Sequence, residues 1–229
     1  MWLLGVVGLV LAGLLIAVVV GRSGSGEEPA AAPSAAAPSS QVSFGPLGDL
    51  SRRNDDDPRA LGDVDAPVVM VVFSDFRCPF CAEYFRTVEP ELISRYVDTG
   101  KLRIEWRDQP IFGEQSELAA RAGWAAAEQG RFWEFVTAVY GDAEGTGHPD
   151  LPIDVLVAKA QAAGVADLDR FRRETTSGTY DAAIADDRAP TVKFGIIGVP
   201  AFVINGEPII GTHDVGVYAG VIDGRLAGS

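Results

Sequence analysis

The chain has 229 residues, of which 47% are hydrophobic and 22% are charged, and its formal net charge is −13. A surface this acidic repels phosphate backbones, which argues against nucleic acid as a partner. The only cysteines are Cys78 and Cys81, too few for a small secreted domain held together by several disulfides.

The first predicted element is an apolar run from Trp2 to Val20 that contains no charged residue. As a helix, its about 19 residues would span roughly 28 Å, which is enough for the hydrocarbon core of a bilayer. A cleavable signal peptide is the alternative, but its apolar region is usually shorter and follows basic residues. We therefore predict an uncleaved transmembrane anchor over residues 1–21.

The next part of the chain is predicted to be a linker followed by the start of a folded domain. Residues 22–58 are rich in Gly, Ser, Ala and Pro and then in acidic residues, which predicts a flexible linker with room for a short first strand near its end. The folded domain is predicted over residues 59–229. The β-branched run Val68 to Phe73 predicts a strand buried on both faces, and the alternation from Lys101 to Arg107 predicts a second strand.

A helical block follows these strands. From about Glu114 to Arg188 the apolar residues recur with helical spacing, which predicts a helical insertion of about residues 112–190. Pro190 is expected to kink or break the helix that leads to Gly195, because proline lacks the backbone N–H that an internal helical position needs.

The C-terminal part returns to the sheet. The apolar runs Ala201 to Ile204 and Pro208 to Ile210 flank Asn205-Gly206, a strong signal for a β-hairpin. Asp214 is placed to cap a last helix that runs to about Leu226. The order of strand, helix, strand, helices, hairpin and helix predicts an α/β fold with a helical block inserted into it.

The two cysteines form the motif Cys78-Pro79-Phe80-Cys81, directly after a predicted buried strand. Catalysis of disulfide exchange needs an attacking thiolate and a second thiol close enough to resolve the mixed disulfide. Pro79 suits the first position of a helix, so Cys78 is expected at the helix N-terminus, where unpaired amides stabilise a thiolate. Cys81 lies one turn further, on the face of Tyr84. We predict Cys78 as the exposed nucleophile and Cys81 as the shielded resolving thiol.

Two other interpretations of the cysteine pair are weaker. A zinc site needs about four ligands, and the only histidines, His148 and His213, show no recognisable ligand spacing, so no metal is predicted. A purely structural disulfide is also disfavoured, because so short a loop constrains little of the chain. His148 is predicted to be a loop residue and His213 a surface residue, neither of them catalytic.

At these motifs the sequence resembles the DsbA-like branch of the thioredoxin superfamily. One matching passage is Val68 to Glu83 (VVMVVFSDFRCPFCAE) and the other is Gly195 to Gly206 (GIIGVPAFVING). The resemblance covers roughly residues 60–229 and implies a thioredoxin-like fold with an inserted helical domain. It also implies that the bond before Pro200 is cis, that Pro200 lies against the cysteine pair, and that the backbone of Val199 pairs with an extended substrate.

The chain departs from the family pattern at two positions close to the cysteines. The strong oxidases of the family often carry His where this chain has Phe80, and a buried acid where it has Val72. Both departures bear on oxidising power and therefore on the direction of the reaction. Asp75 and Glu83 are the carboxyl groups nearby in the sequence.

The resemblance implies a thiol–disulfide oxidoreductase without a cofactor, and we predict an oxidase that introduces disulfides into exported proteins. Its expected partners are reduced exported proteins and a quinone-linked membrane reoxidase, either DsbB-like or VKOR-like. Disulfide donors belong on the oxidising side of a membrane, so we expect a single-pass membrane protein with an extracytoplasmic catalytic domain. The lone Arg22 argues weakly for the opposite orientation. A reductase or isomerase on the same fold and a non-catalytic thioredoxin-fold binding module are the alternatives.

Overall fold

The computed structural model describes residues 44–228 apart from residue 142 and residues 144–146. The predicted membrane anchor over residues 1–21 and the first part of the predicted linker lie outside these described residues. Among the helices within them, none is both long enough and apolar enough to cross a membrane.

A mixed sheet of five strands forms the centre of the described part of the chain. In spatial order, β1-β3-β2-β4-β5, the strands are β1 (Ala60–Leu61), β3 (Leu102–Asp108), β2 (Val68–Ser74), β4 (Ala201–Ile204) and β5 (Glu207–Ile210). The central strand β2 runs parallel to β3 and antiparallel to β4. Every residue of β2 is buried, which confirms the prediction of a strand covered on both faces.

Helices cover the sheet and form the insertion. They are α1 (Pro79–Thr87), α2 (Glu89–Leu92), a π-helical turn (Ile93–Val97), α3 (Glu114–Ala127), α4 (Phe132–Gly141), α5 (Ile153–Ala162), α6 (Leu168–Thr176), α7 (Asp181–Phe194) and α8 (Val215–Ala227). The block α3 to α7 lies between β3 and β4 in the sequence, as predicted. The prediction of a thioredoxin-like α/β fold with a helical insertion is thereby confirmed.

The sequence predicts a kink or a break at Pro190, and helix α7 continues through this residue, so a break is wrong. A proline inside a helix removes one backbone hydrogen bond. Thr191 is buried, and its hydroxyl donates to the side chain of Gln109 at 2.9 Å. Gly195 ends the helix in the left-handed conformation with φ of +67°, the usual role of glycine at this position.

The predicted hairpin between β4 and β5 is confirmed, and Asn205 and Gly206 form its turn with positive φ values. The Asn205 side chain accepts from the backbone of Val69 at 2.8 Å and donates to the carbonyl of Pro67 at 3.1 Å. The turn is therefore tied to the start of β2. Asp214 precedes α8 as predicted, but its side chain makes no capping hydrogen bond.

Residues 44–58, which the sequence assigns to the flexible linker, instead pack against the sheet. The backbone of Leu47 donates to the carbonyl of Gly206 at 3.0 Å. Leu47 and Leu50 contact the apolar side chains of β2 and β4. The composition of this segment hides its order, because the contacts that hold it to the sheet are made with distant parts of the chain. Besides the two leucines, the carboxylate of Glu105 on β3 accepts from the backbones of Arg52 and Arg53 at 2.7 and 2.9 Å.

A buried network of charged groups lies between this N-terminal segment, β3 and α7. The guanidinium of Arg59 is 2.9 Å from both Asp108 and Asp187. It also lies 3.5 Å from the ring centroid of Trp124, within the range of a cation–π interaction. Burial raises the pKa of Asp108 to about 7, although the nearby Arg59 opposes that shift. Sequence pattern alone did not predict this network.

Glu89 at the start of α2 is a carboxyl group that makes stability depend on pH. It is 4% exposed, and burial raises its pKa from 4.5 to about 8. When the pKa of an acid is higher in the folded state, the folded protein holds the proton more tightly than the unfolded chain does. The free energy of unfolding is therefore highest below the unfolded pKa and falls as pH rises towards the folded pKa. We expect Glu89→Gln to raise the free energy of unfolding near pH 8 by about 2–3 kcal/mol more than near pH 5.

Urea unfolding of both proteins at the two pH values measures this difference. Glu91→Gln is the matched control, because Glu91 lies on the same helix, is partly exposed and pairs with Arg95. Wild-type and Glu89→Gln stabilities that change in parallel with pH would contradict the prediction.

Candidate active site

The cysteine pair lies at the start of α1, directly after the turn that ends β2. Cys78 occupies the residue before the helix in an extended conformation, and Pro79 is the first helical residue. The sulfur of Cys78 accepts a hydrogen bond from the backbone N–H of Cys81 at 3.3 Å. The Cys78 side chain therefore caps the helix, where unpaired amides and the helix dipole stabilise a negative charge.

The two thiols have opposite pKa shifts. The pKa of Cys78 is lowered from 9.0, chiefly by the side-chain hydrogen bond with Cys81 and then by the backbone amides of Cys81 and Phe80, against the effect of burial. Burial raises the pKa of Cys81 well above 9.0. Both are free thiols in this structure. Cys78 is thus the thiol that supplies a thiolate more readily, as the predicted role of nucleophile requires.

Cys78 is less accessible than the sequence predicts. It is only 2% exposed, the same fraction as Cys81, so the expectation of an exposed nucleophile is wrong. The thiol of Cys78 donates to the carbonyl of Val199 at 3.5 Å. A segment far away in the sequence therefore covers the open end of α1, and no local pattern around the cysteines could reveal it.

The peptide bond between Val199 and Pro200 is cis, as the resemblance implies. Pro200 is buried and leads directly into β4, and its carbonyl accepts from the backbone of Gly211 at 2.8 Å. This bond ties the segment that ends in Pro200 to the residue that follows β5. The segment places the Val199 carbonyl beside the sulfur of Cys78.

Three apolar side chains in or close to the cysteine motif and the cis-proline segment are exposed. Phe80 is 55% exposed, Ile210 at the end of β5 is 53% exposed, and Ile197 shortly before the cis bond is 88% exposed. The hydroxyl of Thr212 donates to the carbonyl of Phe80 at 2.8 Å, which joins the start of α1 to the segment after β5. Such an exposed apolar surface is typical of a binding site for another polypeptide.

Phe80 cannot donate a hydrogen bond to a thiolate, and replacing it tests how far this limits the reactivity of Cys78. We expect Phe80→His to lower the pKa of Cys78 further, because an imidazolium at this position adds a positive charge near the thiolate. A shift of about one unit corresponds to a tenfold change in equilibrium, or roughly 30 mV in the reduction potential of the pair.

Titration of the thiolate absorbance and equilibration in glutathione buffers measure the two quantities. Phe80→Leu is the control, since it changes the size of the side chain without adding a charge. An unchanged pKa and potential in Phe80→His would contradict the prediction.

Neither carboxyl group near the motif takes the place of the family's buried acid. Glu83 is exposed on α1. Asp75 is buried, but its carboxylate accepts from the backbone of Arg77 at 2.8 Å, from the backbone of Ile111 at 2.7 Å and from the hydroxyl of Ser116 at 2.9 Å. Asp75 therefore holds the turn into α1 and connects it to the helical insertion.

Two buried hydroxyl groups near Cys81 were missed by sequence reasoning. Ser74 is the last residue of β2, and Tyr140 lies near the end of α4, with their oxygens 2.8 Å apart. The hydroxyl of Tyr140 also donates to the carbonyl of Asp75 at 3.0 Å. Burial dominates the raised pKa of Cys81, and a hydrogen-bonding interaction with Ser74 opposes it. A serine that directly follows a buried strand was the only local signal, and Tyr140 gave none.

Both histidines lie in exposed segments, as predicted. The Nδ1 atom of His148 is 2.9 Å from the carbonyl oxygen of Arg77, and the centroid of its ring lies 3.8 Å from that of Phe112. The Nε2 atom of His213 is 2.9 Å from the carbonyl of Ile210. Within residues 44–228, leaving aside the few that are not described, no group of three or more His, Cys, Asp or Glu side chains converges as a metal site would require.

Comparison with known proteins gives consistent matches. The Thioredoxin family matches residues 54–224. The Probable disulfide bond formation protein D of Bacillus cereus is 31% identical over 155 residues, which are 65% of this chain and 70% of that protein. Oxidised BdbD from Bacillus subtilis has a TM-score of 0.70 at 21% identity and covers 76% of this chain and 95% of its own. Wolbachia pipientis alpha-DsbA1 has a TM-score of 0.65 at 22% identity, over 74% of this chain and 90% of its own.

Proposed function

Since the chain belongs to the DsbA-like branch of the thioredoxin family and is a thiol–disulfide oxidoreductase, we propose that it is an oxidase that introduces disulfides into exported proteins. The observation that carries this proposal is the unequal environment of the two thiols. The pKa of Cys78 is lowered, chiefly by its hydrogen bond with Cys81, whereas burial raises the pKa of Cys81. A stabilised Cys78 thiolate favours the reduced pair, and a pair that favours its reduced form readily donates its disulfide.

The proposed reaction begins when a substrate thiolate attacks the sulfur of Cys78 in the oxidised pair. The bond between Cys78 and Cys81 breaks, a bond between the substrate sulfur and Cys78 forms, and Cys81 leaves as a thiolate that takes up a proton. A second substrate thiolate then attacks the substrate sulfur of the mixed disulfide, and Cys78 leaves as a thiolate. The substrate loses two electrons and its two thiol protons, and the cysteine pair gains the two electrons.

Exposed apolar side chains near the cysteine motif and the cis-proline segment support polypeptide substrates. Phe80, Ile197 and Ile210 present apolar side chains that match those of a chain not yet folded. The Val199 carbonyl lies 3.5 Å from the sulfur of Cys78, and the resemblance implies that the backbone of Val199 pairs with an extended substrate. Reduced exported proteins, whose cysteines are still in unfolded segments, are substrates of this kind.

Reduction potential is the test of the oxidase function. The full chain, held in detergent, is equilibrated in glutathione buffers of different ratio and its free thiols are counted. A reduction potential of about −120 mV is expected for a strong oxidant. A potential of about −270 mV would overturn the proposal in favour of a reductase, the alternative that the apolar Phe80 favours. Failure of the oxidised protein to form disulfides in a reduced, unfolded protein would favour the non-catalytic binding module.

We also propose an extracytoplasmic location, with residues 1–21 as a single membrane anchor and a quinone-linked membrane reoxidase, DsbB-like or VKOR-like, as the partner that restores the disulfide. The uncharged run from Trp2 to Val20 and the persistence of disulfides outside the cytoplasm support this arrangement. A membrane-impermeant protease added to intact cells is expected to degrade the domain. Protection of the domain until the cells are lysed would place it in the cytoplasm and contradict the proposal.

A further inference from the structure

Cys81 poses a chemical problem that the family's usual solution does not solve in this chain. When the bond between the two cysteines breaks, Cys81 leaves as a thiolate at a position that is 2% exposed. A buried thiolate without a hydrogen-bond donor is costly. The position where relatives often carry an acid is the apolar Val72, and the carboxylate of Asp75 is occupied by its own donors.

The hydroxyls of Ser74 and Tyr140 offer a donor at this place. The Ser74 oxygen is 2.8 Å from the Tyr140 oxygen, and the Tyr140 oxygen is 3.0 Å from the carbonyl of Asp75. Both side chains are buried, so water does not compete for these bonds. The Asp75 carbonyl also accepts from the backbone of Cys78 at 2.9 Å, so the same carbonyl fixes both the hydroxyl pair and the turn that carries the nucleophile.

Two hydrogen-bond directions are compatible with the same positions of the heavy atoms. A carbonyl only accepts, so when Tyr140 donates to Asp75 its single proton is used, and Ser74 must donate to Tyr140. Ser74, whose hydrogen-bonding interaction lowers the pKa of Cys81, then has only oxygen lone pairs left to offer that thiol. When Tyr140 donates to Ser74 instead, the Ser74 proton is free to point at a Cys81 thiolate.

We propose that Ser74 is the side-chain hydrogen-bond donor to the Cys81 thiolate during disulfide exchange, and that Tyr140 is the positioning residue that sets the direction of the Ser74 hydroxyl. This role rests on the proposed thiol–disulfide function. No proton leaves Tyr140, because two hydroxyl rotations are sufficient. Cleavage of the disulfide leaves an electron pair on Cys81, the Ser74 proton bonds to it, and the proton that later restores the thiol comes from solvent.

The surroundings of Tyr140 hold its hydroxyl in place. Its ring lies among three other aromatic rings, those of Phe76, Phe85 and Trp106, at centroid distances of 5.8, 5.5 and 6.2 Å. Arg86 of α1 donates to the Tyr140 backbone carbonyl at 2.7 Å. Helix α4 of the insertion is thus fixed to α1, the helix that contains Cys81.

The ionisable groups that act on Cys81 are few. Cys78 caps the helix that carries Cys81, and it raises the pKa of Cys81 after the dominant effect of burial. On α4, Tyr140 is the ionisable neighbour, and its own pKa is raised by burial and next by the charge of Cys81. At the end of β2, the backbone of Asp75 lowers the pKa of Cys81 as Ser74 does. From β4 the residues that follow Pro200 are apolar.

The reaction of the reduced full chain with an aromatic disulfide such as Ellman's reagent separates the two thiols. In the first phase the Cys78 thiolate attacks the reagent, forms a mixed disulfide and releases one coloured thiolate. In the second phase Cys81 attacks the sulfur of Cys78, which closes the protein disulfide and releases the second coloured thiolate. Stopped-flow measurement across a range of pH gives a rate profile for each phase.

Ser74→Ala is expected to slow the second phase about tenfold near neutral pH and to move its pH profile upward by about one unit, with the first phase unchanged. Tyr140→Phe keeps the ring and is expected to produce a smaller shift in the same direction. Ser74→Thr, which restores a hydroxyl, is expected to recover the wild-type profile. If Ser74→Ala does not fold, Tyr140→Phe and Ser74→Thr still provide the comparison.

Tyr84→Phe is the control, because it removes a buried hydroxyl from the helix that carries Cys81 and that hydroxyl contacts Met70 instead of the cysteines. A second phase that is unchanged in Ser74→Ala, or slowed without a shift of its pH profile, would overturn the proposed role of Ser74. A slow first phase with the pH profile of an ordinary thiol would instead count against the proposed oxidase function.

Discussion

Replacing Cys78 with serine is expected to lower the rate of disulfide transfer by roughly three orders of magnitude or more, because a serine hydroxyl is a far weaker nucleophile than a thiolate. Cys78 is the thiol with the lowered pKa and the one that caps α1. Oxidation of a reduced, unfolded protein measures the loss.

Replacing Cys81 with serine is expected to have a different result. Cys78 is still present to attack a disulfide substrate, but no thiol resolves the mixed disulfide, so the covalent complex accumulates. Mass spectrometry of the protein after reaction with a disulfide peptide detects this complex. A complex formed through Cys81 in the Cys78→Ser protein would mean that the roles of the two thiols are reversed.

The folding of both variants is checked by urea unfolding. Each serine differs from cysteine by one atom, and neither reduced cysteine contributes a covalent bond to the fold. The loss of transfer in Cys78→Ser is therefore expected without a large change in the free energy of unfolding. If a variant unfolds at a much lower urea concentration than the reduced wild type, misfolding explains its loss of rate.

Local patterns in the sequence predicted the parts of the fold that local physics determines. The all-buried strand β2, the hairpin around Asn205 and the helix that begins at Pro79 each follow from a few adjacent residues. The cysteine pair also follows from such a pattern, since the motif and the preceding strand together define the start of α1.

The features that the sequence did not predict depend on contacts between distant residues. Val199 covers Cys78 across 121 positions of the chain, and Tyr140 reaches Ser74 across 66. Helix α7 continues past Pro190, and the residue after this proline, Thr191, bonds to Gln109, 82 positions earlier. Periodicity and propensity describe a segment by itself, whereas the final environment of a side chain depends on which other segment packs against it.

Removal of the positive charge at the centre of the buried network is expected to destabilise the protein by about 3–5 kcal/mol. Arg59→Met preserves most of the side-chain volume but leaves Asp108 and Asp187 without the guanidinium that lies 2.9 Å from each. The control is Arg131→Met, which removes a surface pair with Glu134 that is expected to contribute about 0–1 kcal/mol. Urea unfolding of the two variants gives the comparison, and equal losses would contradict the prediction.

The pH dependence of this loss follows from the carboxyl that Arg59 contacts. Burial raises the pKa of Asp108 to about 7, and Arg59 opposes the shift, so its removal raises that pKa further. An acid with a raised folded pKa destabilises the protein as pH rises above its unfolded pKa, so the loss in Arg59→Met is expected to be larger near pH 8 than near pH 5. Asp108→Asn in the same protein is expected to recover part of the loss, because it removes one uncompensated charge.

The network also bears on the active site through the sheet. Asp108 is the last residue of β3 and lies opposite Ser74 in the register of the parallel pair. If the network acts only on stability, folded Arg59→Met protein reacts with Ellman's reagent at the wild-type rate in both phases. A change confined to the second phase would mean that the end of β3 helps to place Ser74 beside Cys81, and that the charged network and the resolving thiol are coupled through a single strand pair.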